Sequence, residues 1–153
     1  MQSQLDKTVA GLSGLYDEDF FEWTRRNAEL LRAGRLEQAD IEHIAEEIED
    51  MGIRDLRALD SRLEVLLVHL LKCRFQPEKR SASWENTIAV QRTGVARLLA
   101  RYPSFRRRIK PDLPLNYGFA LRRAVRETGL PKNHFPAECP FTVEQILDPE
   151  FLP

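Results

Sequence analysis

One heptad row constrains this chain more than any other feature. Counting in sevens from Ile41 through the segment 41–76 gives Ile48, Asp55, Arg62, His69 and Gln76, two apolar residues and then four polar ones. The neighbouring rows stay apolar through Ile44, Met51, Leu59, Leu63, Leu66 and Leu70. Residues seven apart return to nearly the same angle on a helix. The spacing therefore predicts a long helix on which an acid, a base and an imidazole face the direction of the core. Buried charge is costly unless paired. The stripe is either a satisfied polar network that fixes helix register or a site, and it contains no nucleophile that would name a reaction.

The remaining periodicity is helical as well. Asp19 followed by Glu22 has the form of a capping box, and Gly34 is placed to end the helix near Ala33. Phe20, Trp23, Leu30 and Leu31 give that helix a buried stripe, with Asn27 as an exception. Asp40 is the expected cap of the long helix and Gln76-Pro77 its stop. Unbroken, that helix is roughly 50 Å long, and Met51-Gly52 predicts a kink at most. Ser83 is read as the cap of a third helix beginning at Trp84, with Trp84, Ile88, Gln91, Val95, Leu98 and Tyr102 on its buried face. Ser104 to Lys110 reads as a short basic helix, and a fourth main helix follows Pro111 and Pro114, from about Leu115 to Thr128. Thr142 and Gln145 form a capping box with Phe141 and Ile146 as its staple. The fold class is all-α: a single-domain antiparallel helical bundle over 16–153 with a short C-terminal helix, preceded by a flexible segment 1–15.

Composition limits the setting. A chain of 153 residues buries a core without disulfides or metals. Cys73 and Cys139 match no metal spacing and no disulfide framework, which favours free thiols in a reducing cytoplasm. Met1 to Leu15 lacks the order of a signal peptide, and no apolar run approaches a membrane span. A soluble cytoplasmic protein without a membrane partner is expected. The net charge of −1 conceals an asymmetry. Residues 1–71 carry 8 Lys/Arg against 16 Asp/Glu, residues 72–126 carry 14 against 3, and residues 127–153 carry 1 against 5. Acidic and basic helices that neutralise each other within one bundle are favoured over a nucleic-acid face.

Four segments give the chain a family likeness: Tyr16-Asp17-Glu18-Asp19-Phe20 with Trp23; Ala45-Glu46-Glu47-Ile48-Glu49-Asp50-Met51-Gly52; His69-Leu70-Leu71-Lys72 leading into Gln76-Pro77-Glu78-Lys79-Arg80-Ser81-Ala82-Ser83-Trp84; and Phe135-Pro136 with Cys139-Pro140-Phe141-Thr142. In these the chain resembles the bacterial domain-of-unknown-function 29 family, with Cys73 and Phe141 standing where larger aromatic residues are expected. The resemblance implies an all-helical fold and a cytoplasmic bacterial protein, and it implies no activity. Glu46, Glu47, His69, Lys72, Gln76, Arg80, Ser83, Trp84, Thr87 and Gln91 match its motif positions.

Candidate sites follow from these residues. Arg62, His69 and Gln91 suit a small-anion ligand site, a partner's carboxylate or an enzyme centre, against the reading of a buried network in which His69 hydrogen-bonds Gln91. If Arg62 is buried and paired, Arg62→Ala is expected to destabilise by about 3–5 kcal/mol. Lys72, Arg80 and Ser83 surround a helix N-terminus that offers anion-binding amides, although Ser83 as a plain cap explains the same residues. His43, Glu46, Glu47 and Asp50 share one helix face, but a solvated acidic face is favoured over a metal site, and no cofactor is expected. Arg97, Arg101, Arg106, Arg107 and Arg108, with Tyr102 and Phe105 interleaved, make nucleic-acid binding an alternative. Without a catalytic constellation, the expected function is a non-enzymatic interaction or regulatory module that binds a protein partner or itself.

Overall fold

Apolar spacing near 3.6 residues recurs along most of the chain, and helix is the local structure that gathers such residues onto one side. The computed structural model describes the backbone of residues 1–153 and all side chains except those of residues 2, 3 and 6. Among the described residues there are six α-helices, four short 3-10 turns and no strand. The helices are α1 (Gln2–Glu18), α2 (Phe20–Arg32), α3 (Ile41–Phe75), α4 (Ala82–Arg101), α5 (Arg106–Thr128) and α6 (Val143–Leu147). The all-α bundle expected from the sequence is the fold observed. The chain divides within α3 into two compact units, Met1–Arg54 and Asp55–Pro153.

In the first unit, α1 takes in residues 2–15 of the N-terminal segment. Leu5, Val9, Leu12 and Tyr16 fall at i, i+4, i+7 and i+11, one face of a helix, and Leu12 is buried. Two glycines and a polar composition mask that stripe in the sequence. Asp19 caps α2 as read, its Oδ1 accepting from the Glu22 amide at 3.0 Å. The Glu22 carboxylate pairs with Arg25 and Arg26, which hold its pKa down at about 2. Gly34, at φ +70, follows the end of the helix in the left-handed region. The buried stripe of α2 is narrower than expected: Trp23 and Asn27 are buried, whereas Phe20 and Leu31 are exposed.

In the second unit, side-chain pairs fix the helix directions. Asp55 meets Tyr102, Arg62 meets Gln91 and Lys72 meets Trp84, so α3 and α4 run antiparallel. Asp60 meets Asn116, Glu64 meets Arg123 and Lys72 meets Glu127, so α3 and α5 run parallel. Between them α3 supplies Leu59, Leu63, Leu66, Leu67, Leu70 and Leu71, packed with Ile88, Val95 and Leu99 of α4 and Ile109, Tyr117 and Leu121 of α5. Full burial of each such side chain stabilises by about 1.5–3 kcal/mol.

Two boundaries differ from the sequence reading. Ser81, not Ser83, caps α4: its backbone is extended and its Oγ accepts from the Trp84 amide at 3.3 Å. Residues 106–128 form one helix with Pro111 and Pro114 inside it, not a short basic helix and a separate one. An interior proline costs about 3 kcal/mol through its missing donor and its ring. Buried Ile109 before the prolines and buried Tyr117 after them keep the backbone on a single helical path. Gly129, at φ +71, ends α5, and Thr142 and Gln145 form the expected capping box on α6 over buried Phe141 and Ile146.

Candidate functional site

The heptad row of α3 divides among separate partners. The Tyr102 hydroxyl donates to Asp55. Nη1 of Arg62 donates to Oε1 of Gln91 at 3.1 Å, and Nδ1 of His69 donates to the Val65 carbonyl one turn back at 2.9 Å. The expected His69–Gln91 bond is thus replaced by Arg62–Gln91. Burial pushes the His69 pKa below its usual value, so the ring is neutral at pH 7 and Nε2 keeps its lone pair. Arg62 is half-buried with a neutral partner, which is a weaker arrangement than a buried ion pair. Its guanidinium lies flat on α4 because residue 94 is glycine; a Cβ there would meet Nη1 at 2.5 Å. Arg62 lines an open groove of about 370 Å³ with Val90, Thr93, Gly94 and Arg97.

The second set of anion-site residues is already engaged. Nζ of Lys72 bonds Glu127 at 3.1 Å and sits 4.5 Å from the Trp84 ring centre. Nε of Arg123 bonds the other Glu127 oxygen at 2.8 Å. Burial works against the Glu127 carboxylate, but these bonds outweigh it and hold its pKa below the usual range. Arg80 binds Glu85 at 2.8 Å and the Pro153 carbonyl at 3.1 Å. Ser83 is exposed, and its carbonyl accepts from Thr87. Nothing here converges on an anion.

Arg97, Arg101, Arg106, Arg107 and Arg108 are all exposed. Of these, only Arg108 forms an ion pair among the described residues, with Asp112 at 3.4 Å. The interleaved aromatics are not available as base platforms: Tyr102 stacks on Phe105 at 4.9 Å and its hydroxyl serves Asp55, while Phe105 packs against the core.

Sequence reasoning missed Arg92. It is 6% exposed, and its guanidinium donates to the carbonyls of Ile146 at 2.9 Å, Phe151 at 2.7 Å and Gln145 at 3.1 Å. Two of these carbonyls lie in the last turn of α6, where carbonyls lack helical partners and a cation is favoured. The signal was present, since Ile88, Arg92, Val95 and Leu99 follow one helical row. The row chosen through Gln91 is rotated from it by one residue.

The polar cluster of the first unit was also missed. Oδ2 of buried Asp40 accepts from the Trp23 indole at 3.0 Å and from Nδ1 of His43 at 2.7 Å, and the Asp40 amide donates to Asn27 at 2.9 Å. Burial opposes the Asp40 charge, yet these bonds lower its pKa, while the bond to Asp40 raises that of His43. Tyr16 stacks on the His43 ring at 4.1 Å and donates to Glu47 at 2.6 Å, a bond that pushes the phenol up to about 12. His43 and Glu47 therefore tie α3 to α1, and their face is more than the solvated acidic face expected.

That tie turns the next face of α3 outward. Ile41, Ile44, Ala45, Ile48, Met51 and Gly52 form one contiguous apolar stripe. The sequence reading placed Ile41, Ile44, Ile48 and Met51 toward a core, but Ile41, Ile48 and Met51 are 48%, 64% and 62% exposed. Tyr16 packs on the His43–Glu47 side, which leaves these side chains to solvent.

No curated protein and no solved structure matches the chain. A family model described as domain of unknown function DUF29 matches residues 15–152 and includes the Tyr16, Glu47, His69–Trp84 and Cys139 segments. With nearly its whole length matched, the chain belongs to the DUF29 family.

Proposed function

We propose that the protein is a non-enzymatic interaction module that docks a protein helix on the apolar face of α3. The observation that carries this is the uncovered row Ile41, Ile48 and Met51 on a regular helix. Contiguous apolar surface of this kind marks an interaction site, and a helix-in-groove or helix-pair mode reads such a stripe at i, i+3, i+7 spacing. The polar clusters around Asp40 and Glu127 support the same reading, because their members satisfy one another instead of aiming at a cavity. Free Cys73 and Cys139 favour a reducing bacterial cytoplasm as its setting, and no described helix is long and apolar enough to cross a membrane. The test is site-specific photocross-linking in cells, with the cross-linker at Ile48 or Met51. A discrete protein adduct is expected there and not from exposed Glu37. The absence of any adduct above that control would end the docking reading.

A second reading is favoured by the groove that brings Arg62 and Arg97 together beside the exposed Arg101, Arg106, Arg107 and Arg108. These guanidiniums suit a phosphate backbone. Binding to an oligonucleotide would then weaken steeply with salt and disappear when Arg106, Arg107 and Arg108 become Glu. Binding that is undetectable or indifferent to salt excludes it.

A further inference from the structure

We propose that the seam between α1 and α2 is a binding groove for a small anionic amphiphile, an aliphatic chain that ends in a carboxylate. The groove holds about 700 Å³, within the range of roughly 300–1,000 Å³ typical of small-molecule sites. Its floor is apolar, with Leu12 and Leu15 of α1 beside Leu30 and Ala33 at the end of α2. Its rim is basic, with Lys7, Arg26 and Arg35 against Glu29. Two of these charges are already answered within α2, where Arg26 bonds Glu22 at 2.6 Å and Glu29 bonds Arg25. Lys7 and Arg35 remain, both exposed and neither in an ion pair among the described residues.

The placement of these two cations selects the occupant. Because α1 and α2 are joined through Asp19 alone, they run back along each other. Lys7 and Arg35 therefore fall at the same end of the seam, remote from Asp19, while Leu15 and the neutralised Arg26 lie at the other. A peptide with acids spread along its length would need cations along the whole groove. One cationic end and an apolar length instead match a single charged head on an apolar tail. The head gains charge-assisted hydrogen bonds from Lys7 and Arg35, and the tail is removed from water over the leucines.

Gly11 keeps this groove open. Lys7, Gly11 and Leu15 follow one another at single-turn spacing on the groove side of α1. Glycine weakens a helix interior relative to alanine, and a Cβ at residue 11 would meet nothing within 4 Å. Packing within the chain thus does not require glycine there. A larger side chain at that position would stand in the middle of the groove.

The experiment is calorimetric titration of the full chain with decanoate below its micelle-forming concentration, with circular dichroism to confirm helix content. Wild type is expected to bind decanoate saturably, one per chain, and to bind decanol at least about tenfold more weakly because it lacks the charge. Lys7→Glu combined with Arg35→Glu is expected to lower decanoate affinity by at least about tenfold. Gly11→Leu favours the helix and fills the groove, so it is expected to abolish binding with helix content retained. Ile48→Glu, on the apolar face of α3, is expected to bind as wild type does. The absence of saturable binding, decanol as tight as decanoate, or affinity unchanged in the charge-reversed chain overturns the proposal. So does binding retained in Gly11→Leu or lost in Ile48→Glu, since either result places the ligand elsewhere. If Gly11→Leu loses helix content, the charge-reversed chain decides.

Discussion

Residues 55–153 enclose most of their large apolar side chains, whereas residues 1–54 leave most of theirs exposed. Of the thirteen exposed large hydrophobic residues among those described, nine lie in the shorter first unit and four in the second. In the second unit the core is a continuous set of leucines and aromatics, sealed by Arg92 holding the C-terminal tail. In the first, buried Leu12, Trp23 and Ala39 are joined by buried Asn27 and Asp40, so hydrogen bonds carry much of the organisation. The difference teaches that one half of the chain is complete by itself. The other has an interior held by hydrogen bonds and an outer apolar face left in solvent.

This contrast can be broken at several points. The largest effect is expected from Arg92→Ala, which strips three carbonyls of their donor and should destabilise residues 55–153 by about 3 kcal/mol. Chemical denaturation measures it, and a loss under about 0.5 kcal/mol would show that the tail is held by packing alone. Asp40→Ala comes next. It leaves the Trp23 N–H buried without an acceptor, at a cost of about 2 kcal/mol. Faster hydrogen exchange should be confined to residues 1–54, and an effect spread over the whole chain would contradict the division. Arg62→Ala should cost about 1 kcal/mol, not the buried-pair figure, because its partner is neutral Gln91 and the groove is open.

The smallest effect concerns pH, and its sign should differ between the units. His43 has a pKa raised by Asp40, so its contribution is full below the unfolded value near 6.5 and is lost as pH rises through the raised folded value. Asp40 has a lowered pKa, and its contribution is present above about 3.8 and lost as pH falls through the folded value. His69 has a pKa lowered by burial, so residues 55–153 are most stable above pH 6.5 and weaken as pH falls below it. Exchange rates followed by region between pH 5 and 8 should therefore move in opposite directions, and His43→Gln and His69→Gln should each flatten one trend only.

The closed half was the more legible in the sequence. Apolar rows of α3 and α4 gave two of its helices and part of its core, and Thr142 and Gln145 gave the cap of α6. Pro111 and Pro114 were misread because local chemistry argues for a break that burial of Ile109 and Tyr117 overrides. In the heptad row, the polar residues were found but not their partners, since a choice between Arg62 and His69 for Gln91 depends on about two helical turns of relative offset. The open half resisted reading for a different reason. An apolar seam such as Ile41, Ile44, Ile48 and Met51 has the same sequence whether it meets this chain or another, and only the position of Tyr16 against His43 and Glu47 shows which face is left over.

The most direct measurement of that claim is amide hydrogen exchange of the full chain in dilute solution, comparing residues 41–54 with residues 59–71. The docking account predicts strong protection over 59–71. Over 41–54 it predicts weak protection, because the outer face of α3 is uncovered. Protection over 41–54 that equals that of 59–71 in dilute solution would mean that the chain covers this face itself, and would contradict the account.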